Sequence, residues 1–266
     1  MRVLAVGLLA LFALAQAATA QVLPSHTDPS AREELPDLSR VPAIRFLTST
    51  GFPPFTYRDA RGELVGYNID LARAICAAIQ AQCTIQTWPW DQVTNALADN
   101  QGDALIAGLA IDAETAQRFD FSNIYLMLPA RFVSQRGSAF TPASGGTVAV
   151  RGGSAHESYL RRFFPDLLLR LYPDEIGALT AIAAGEVEAF FGDAMRASFW
   201  LNENPGCCGF ASGAYFDTDS FGQGLAVALP AGLDNVRQAI NWALSRLQRD
   251  GTMEELYLKW FPVGFY

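Results

Sequence analysis

The sequence predicts an α/β protein of two lobes, joined by a hinge of two crossing strands and separated by an interlobe cleft. Three observations predict it. Short apolar runs alternate with segments of helical spacing across residues 43–107, the same alternation restarts across 147–191, and two extended stretches, 125–133 and 222–228, lie where the chain passes between the two units. Alternating strands and helices build a parallel sheet with helices on its faces. A chain that crosses twice between such units leaves a hinge and a cleft, the usual seat of a small ligand.

Taken in order, residues 43–47 read as a strand. Over 70–81, Leu71, Ala74, Ile75, Ala78 and Ile79 recur at helical spacing. Asn68 is placed to cap that helix, and Asp70 suits the positive end of its dipole. Residues 83–87 form the next strand, Asp91 opens a helix carrying Val93 and Leu97, and 104–107 is a buried strand between Gly102 and Gly108. In the second unit a strand at 147–150 runs into the loop Arg151-Gly152-Gly153-Ser154 and a helix over 155–163. A strand at 168–172, a helix at 174–184 with Ile176, Leu179 and Ala183 on one face, and a strand at 187–191 follow. Helices at 233–249 and 252–260 return to pack on the first unit. The lobes therefore span 42–130 plus 224–266, and 131–223.

The amino terminus reads as a targeting segment. Arg2, an apolar run over 3–15 and Ala18-Thr19-Ala20 before Gln21 predict a signal peptide over 1–20, cleaved on export. Residues 21–41, with Pro24, Pro29 and Pro36, read as a flexible leader. No later stretch approaches the ~18 apolar residues of a membrane-spanning helix. Half of the chain is hydrophobic, 17% is charged and the net charge is -8 with no basic cluster, which argues against a nucleic-acid partner. Four cysteines in an exported chain suggest disulfides. A bridge between Cys76 and Cys83 would staple a helix exit to the next strand, worth about 2–3 kcal/mol. Cys207 and Cys208 are adjacent. They could close a ring, stay reduced or pair with an outside thiol, and no histidine lies nearby to complete a metal site.

The order Gly51-Phe52-Pro53-Pro54-Phe55, then Gly66-Tyr67-Asn68-Ile69-Asp70-Leu71-Ala72, then Asp103-Ala104-Leu105-Ile106-Ala107-Gly108-Leu109 resembles the solute-binding proteins of polar amino-acid ABC importers, bacterial solute-binding family 3. Gly185 to Asp193 and Asp250-Gly251-Thr252 extend the likeness over about residues 43–261, although Asn68 stands where an acidic residue is usual. The resemblance implies the type II periplasmic-binding-protein fold, a small-molecule ligand in the cleft and delivery to an inner-membrane ABC permease. It also implies periplasmic localisation. It supports the Cys76–Cys83 pairing, and we expect a monomer that needs no cofactor and no metal.

The same resemblance names the residues of the site. Phe52 and Trp90 match an aromatic clamp, though either would serve equally in a core or, for Trp90, as a cap on the sheet. Asp193 matches the acceptor of a ligand ammonium, or is an ordinary helix N-cap. Gly108, Ala110 and Thr115 match the segment that forks the ligand carboxylate, but the hydroxyl is Ala110 and the arginine is Thr115, with Asp112 and Glu114 adding negative charge. A buried carboxylate without a partner costs several kcal/mol, so a standard α-amino acid in the usual pose is not expected. Arg118 would point elsewhere on its helix. Arg151 is the better replacement, at a strand end before glycines whose N–H groups favour an anion. Ser154 and His156 stand at family contact places. An enzyme is not expected: no HExxH or Walker loop is present, and Ser154 and His156 are too close along the chain for a nucleophile–base pair. Two other readings remain, a dehydratase-like periplasmic enzyme on this scaffold and an accessory or sensor protein with a degenerate cleft.

Overall fold

The structure, a computed structural model, describes residues 36–266. The predicted signal peptide and the predicted leader up to residue 35 lie outside the described residues. The end of the leader is held: Leu38–Arg40 forms a 3-10 turn and Val41 is buried in the core.

The first lobe contains β1 (Ala43–Thr48), a two-stranded ribbon of β2 (Tyr57–Arg58) and β3 (Leu64–Val65), α1 (Tyr67–Ile79), β4 (Gln82–Thr87), α2 (Trp90–Ala98), β5 (Ala104–Leu105), the short α3 (Thr115–Arg118) and β6 (Phe119–Phe121). The second contains β7 (Ala130–Gln135), β8 (Gly146–Arg151), α4 (Ala155–Phe163), β9 (Leu167–Tyr172), α5 (Glu175–Ala183), β10 (Ala189–Asp193), α6 (Ala194–Glu203), β11 (Cys208–Phe210) and the short α7 (Thr218–Phe221). The chain then returns through β12 (Ala228–Pro230), α8 (Asp234–Arg249) and α9 (Thr252–Trp260). One sheet runs β4-β1-β5-β12-β6 and the other β11-β7-β10-β8-β9. β1 is parallel to β4 and β5, and β8 is parallel to β9 and β10, while β12 and β7 run antiparallel to their neighbours.

The amphipathic helices bury the faces that the sequence marks. Leu71, Ala72, Ile75 and Ile79 of α1 pack with Ile240, Ala243 and Leu247 of α8 and Tyr257 of α9 on one face of the first sheet. Val93 and Leu97 of α2 cover the other face with Leu47 and Leu105. In the second lobe Ala178, Leu179 and Ile182 of α5 meet Trp200 and Leu201 of α6, while Leu160 of α4 joins Val148, Val150 and Phe191 on the opposite face.

α1 starts earlier than its periodicity suggests. Its cap is Gly66, not Asn68, and no side chain caps it. The carbonyls of Pro54 and Phe55 accept the amides of Tyr67 and Asn68 at 2.9 and 3.0 Å. That approach requires glycine, because a Cβ on Gly66 (φ 137°) would stand 2.1 Å from the Phe55 oxygen. Asn68 is fully buried and accepts from the Tyr125 hydroxyl at 2.9 Å. A neutral amide suits that site, where an ionised acid would need a cation. Asp70 does sit in the first turn, and there accepts from Lys259 Nζ at 2.6 Å and Trp260 Nε1 at 2.9 Å, tying α1 to α9. Asp91 lies in the first turn of α2 without capping it.

The two crossings touch as a pair of antiparallel strands. Tyr125 N donates to Leu225 O and Leu225 N to Leu126 O, at 2.8 and 2.7 Å. Gly224 (φ 113°) lets them close up, since a Cβ there would meet the Leu126 oxygen at 2.8 Å. Tyr266 braces the hinge, its hydroxyl donating to Met127 O at 2.8 Å. Cys76 is bridged to Cys83 at the exit of α1, and Cys207 to Cys208 at the head of β11.

Candidate functional site

In parallel sheets, ligands bind at the carboxyl ends of the strands. The candidate residues gather there in both lobes. Phe52 follows β1, Trp90 follows β4, Gly108, Ala110 and Thr115 follow β5, Arg151 ends β8 with Ser154 and His156 just beyond, and Asp193 ends β10.

On the first lobe the structure brings Phe52 and Gly108 together. The Phe52 ring stacks on Phe55 with centroids 4.7 Å apart, and Phe55 in turn meets Tyr67 and Phe261. Phe52 is thus the outermost ring of an aromatic column rooted in the core. It lies so close over Gly108 (φ 76°) that a Cβ there would stand 2.9 Å from its edge. The Thr48 hydroxyl donates to Ile106 O at 2.7 Å and lies 3.2 Å from that of Thr56, tying the ends of β1 and β5 to the Phe52 turn. Trp90 is 54% exposed and makes no ring contact among the described residues, while Trp88 is the tryptophan that packs against the core.

Thr115 is committed to its own loop. Its hydroxyl donates to Ala110 O at 2.7 Å and accepts from Asp112 N at 3.0 Å. Asp112 Oδ1 accepts the amides of Glu114 and Thr115, both at 2.9 Å. These bonds hold the Asp112 carboxyl below its usual pKa, the Thr115 amide contributing most. The loop therefore presents the Asp112 carboxylate with the Thr115 hydroxyl already engaged, and no side-chain cation stands where the resemblance places an arginine. Arg118 is engaged elsewhere, donating to Asn95 Oδ1 at 3.1 Å and lying over Phe119.

On the second lobe the loop after β8 is organised differently from its sequence reading. The Gly152 amide donates to Tyr172 O at 2.9 Å and the Gly153 amide to Glu157 Oε2 at 2.7 Å, so neither is free for an anion. Ser154 is buried as the cap of α4, accepting from Glu157 N at 3.1 Å and donating to Arg151 O at 2.6 Å. His156 stacks on Phe221 at 4.9 Å and meets Phe191 edge-on. Burial in this aromatic cluster, with Arg151 and Arg196 nearby, pushes its pKa down to about 4, so the ring is neutral above that. Arg151 is exposed, and its guanidinium makes no hydrogen bond or ion pair among the described residues.

Asp193 has two roles open to it. Its Oδ1 caps α6 by accepting from Arg196 N at 2.7 Å. The carboxyl is only partly exposed, and burial, with a smaller contribution from Glu175, pushes its pKa up to about 6. Glu175 pairs with Arg196 at 3.4 Å. Glu175 is not marked by the sequence, because its proximity to Asp193 arises only when α5 and α6 pack on one sheet, whereas Arg196 is near Asp193 as the third residue of the helix that Asp193 caps. Among the described residues no group of three or more His, Cys, Asp or Glu could hold a metal ion, and no helix is long and apolar enough to cross a membrane.

Comparison with known proteins agrees with this geometry. The chain is 32% identical over 220 residues to the putative ABC transporter arginine-binding protein 2 of Escherichia coli (strain K12), covering 82% of this chain and 90% of that one. It is 29% identical over 231 residues to the lysine/arginine/ornithine-binding periplasmic protein of the same strain, covering 84% and 89%. Among solved structures, the L-cystine solute receptor of Neisseria gonorrhoeae in its unliganded open conformation superposes with a TM-score of 0.75 at 21% identity, over 84% of this chain and 94% of that one. An arginine-specific periplasmic binding protein of Salmonella typhimurium gives 0.51 at 29% identity, over 82% and 99%. The family model for bacterial extracellular solute-binding proteins, family 3, matches residues 44–263. The chain belongs to that family.

Proposed function

We propose that this protein is a periplasmic receptor that closes over a small amine-bearing solute and delivers it to an ABC permease. On this reading residues 1–20 are removed on export, and the chain divides into lobes of 42–130 plus 224–266 and 131–223. The observation that carries it is the presence of the exposed Trp90, of Phe52 as the outermost ring of its column and of one partly buried carboxyl at the carboxyl strand ends of two hinged lobes. Phe52 and Trp90 would hold the apolar or cationic part of the ligand, and Asp193 would take its ammonium. Contacts made to both lobes at once favour the closed state. The relatives include arginine-binding and histidine-binding proteins, consistent with a cationic or nitrogen-rich ligand. We read the chain as a non-enzyme, because the Ser154 hydroxyl is committed to Arg151 O and to the cap of α4 and the buried, ring-stacked His156 is a weak base.

A thermal-shift screen of the mature chain against amino acids, amines and small carboxylates tests the proposal. A ligand present at 100 times its Kd adds about 2.7 kcal/mol of stability. Stabilisation by an amine-bearing solute is expected. A flat response across the whole library would overturn the receptor reading in favour of an accessory protein, and turnover of a cyclic acid would overturn it in favour of an enzyme.

A further inference from the structure

We propose a second ligand site outside the cleft: a cavity between the second lobe and the segment after α9, where the guanidinium groups of Arg131 and Arg136 bind a small organic anion.

The segment after α9 joins the two cores. Phe261 and Phe265 are buried in the first, while Val263 between them packs against the second. Beside it lies a cavity of about 400 Å³, within the range of roughly 300–1,000 Å³ usual for small-molecule sites. Its walls include Val263 and Gly264 from this segment, Arg131 on β7 and Arg136 just past its end, Asn202 on α6 and Phe210 on β11. None of the cleft candidates lines it.

The two arginines have carbonyl acceptors but no acidic side chain. Arg131 is partly buried. Its Nε and Nη2 donate to Ser212 O, its Nη1 donates to Tyr266 O at 3.0 Å, and it lies over the Phe210 ring at 4.1 Å. Burial holds its pKa below the ordinary arginine value. Arg136 is exposed; its Nε donates to Pro205 O at 3.0 Å, and its two terminal nitrogens make no hydrogen bond among the described residues. Arg45, Arg161, Arg196 and Arg237 each pair with an acid. In a chain of net charge -8, two arginines lining one cavity without an acid make it a local positive site.

Like charges that face one cavity repel, and an anion between them removes that repulsion. Arginine's planar fork binds a carboxylate or phosphate through two parallel hydrogen bonds. Arg136 supplies such a fork, Arg131 supplies a partly desolvated charge fixed by its carbonyl acceptors, and Asn202 adds an exposed amide. Val263 is left for the carbon skeleton of the ligand. A compact polycarboxylate or phosphate ester has this chemistry.

Citrate and glycerol 3-phosphate, titrated calorimetrically into the mature chain at an ionic strength held constant with sodium chloride, test the proposal. At least one is expected to bind at a single site. Arg136→Gln should weaken it about 10-fold or more, the loss of a charge-assisted pair of hydrogen bonds, and Arg136→Lys should retain part of the affinity. An unchanged melting temperature without the anion checks that Arg136→Gln folds. Asn202→Leu, at an exposed helix position, gives a second variant, and should weaken the same anion severalfold. Trp90→Ala, in the cleft, should leave its affinity unchanged. Failure of both anions to bind above the chloride background overturns the proposal, as does binding that Arg136→Gln leaves intact. Loss of binding in Trp90→Ala would place the anion in the cleft and overturn it as well. The receptor reading stands in each case.

Discussion

The two rims of the cleft treat their polar groups in opposite ways. On the first lobe, the polar side chains at residues 112 and 115 are bonded within their own loop: Thr115 bonds to Ala110 and Asp112, and Asp112 to Glu114 and Thr115. On the second, Arg151 is unpartnered among the described residues and Asp193 keeps a carboxyl raised to about 6 by burial. The first rim is finished as structure and offers flat rings, whereas the second still holds charges that a ligand can complete. A self-satisfied loop gains nothing from a ligand, while an uncompensated charge does.

The largest effect should come from breaking the first rim at its root. Gly66→Ala forces a Cβ against the Phe55 carbonyl that caps α1, and should cost on the order of 3 kcal/mol in denaturant unfolding. A cost below about 1 kcal/mol would mean that the Phe52–Phe55 turn moves freely and is no rigid floor.

The second rim can be sharpened by pH. A carboxyl whose folded pKa lies above its unfolded value binds its proton more tightly when folded. Asp193 therefore favours folding at low pH and loses that contribution as the pH rises from about 4 to about 6. An imidazole depressed to about 4 acts in the opposite sense, and His156 loses stability as the pH falls from about 6.5 to about 4. The shifts are similar in size, so these two contributions should nearly cancel between pH 4 and 6.5. His156→Phe, which keeps an aromatic ring against Phe221, removes one of them. Its stability relative to wild type should fall by roughly 2 kcal/mol between pH 4 and pH 7. A parallel pH profile in the two proteins would show that His156 is protonated as easily folded as unfolded.

The smallest effect should come from Thr115→Val. Losing the hydroxyl opens the loop at residues 110–115 and should lower stability by about 1 kcal/mol, with the Kd of any ligand changed less than twofold. A tenfold loss of affinity would return Thr115 to the binding surface and erase the contrast between the rims.

Much of the fold is legible in the chain because it rests on period and punctuation. The helix over residues 155–163 and that over 252–260 are bounded as their spacing and flanking residues indicate, and the strand–helix alternation predicts the parallel strands of both sheets. Elements that draw their bonds from distant partners are not legible in this way. β6, β11 and the β2–β3 ribbon are only two or three residues long, too short for any period to show. The cap of α1 is made by a turn more than ten residues upstream, so Asn68 looks like a cap and is instead a buried acceptor.

For the site, the chain by itself determined which residues stand at strand ends, that a threonine opens α3 where the family resemblance implies an arginine, and that Arg151 and Asp193 carry opposite charge. Sequence position is enough for this, because the last residue of each parallel strand lies on a common edge. Only the tertiary structure decided which of those groups are free. Whether Gly153 can bind an anion depends on Glu157, whether His156 can titrate near neutrality depends on Phe191 and Phe221, and whether Asp193 is an ordinary carboxylate depends on burial beside Glu175. Hydrogen-bond partners and desolvation are set by neighbours in space, and folding brings those neighbours together from several elements.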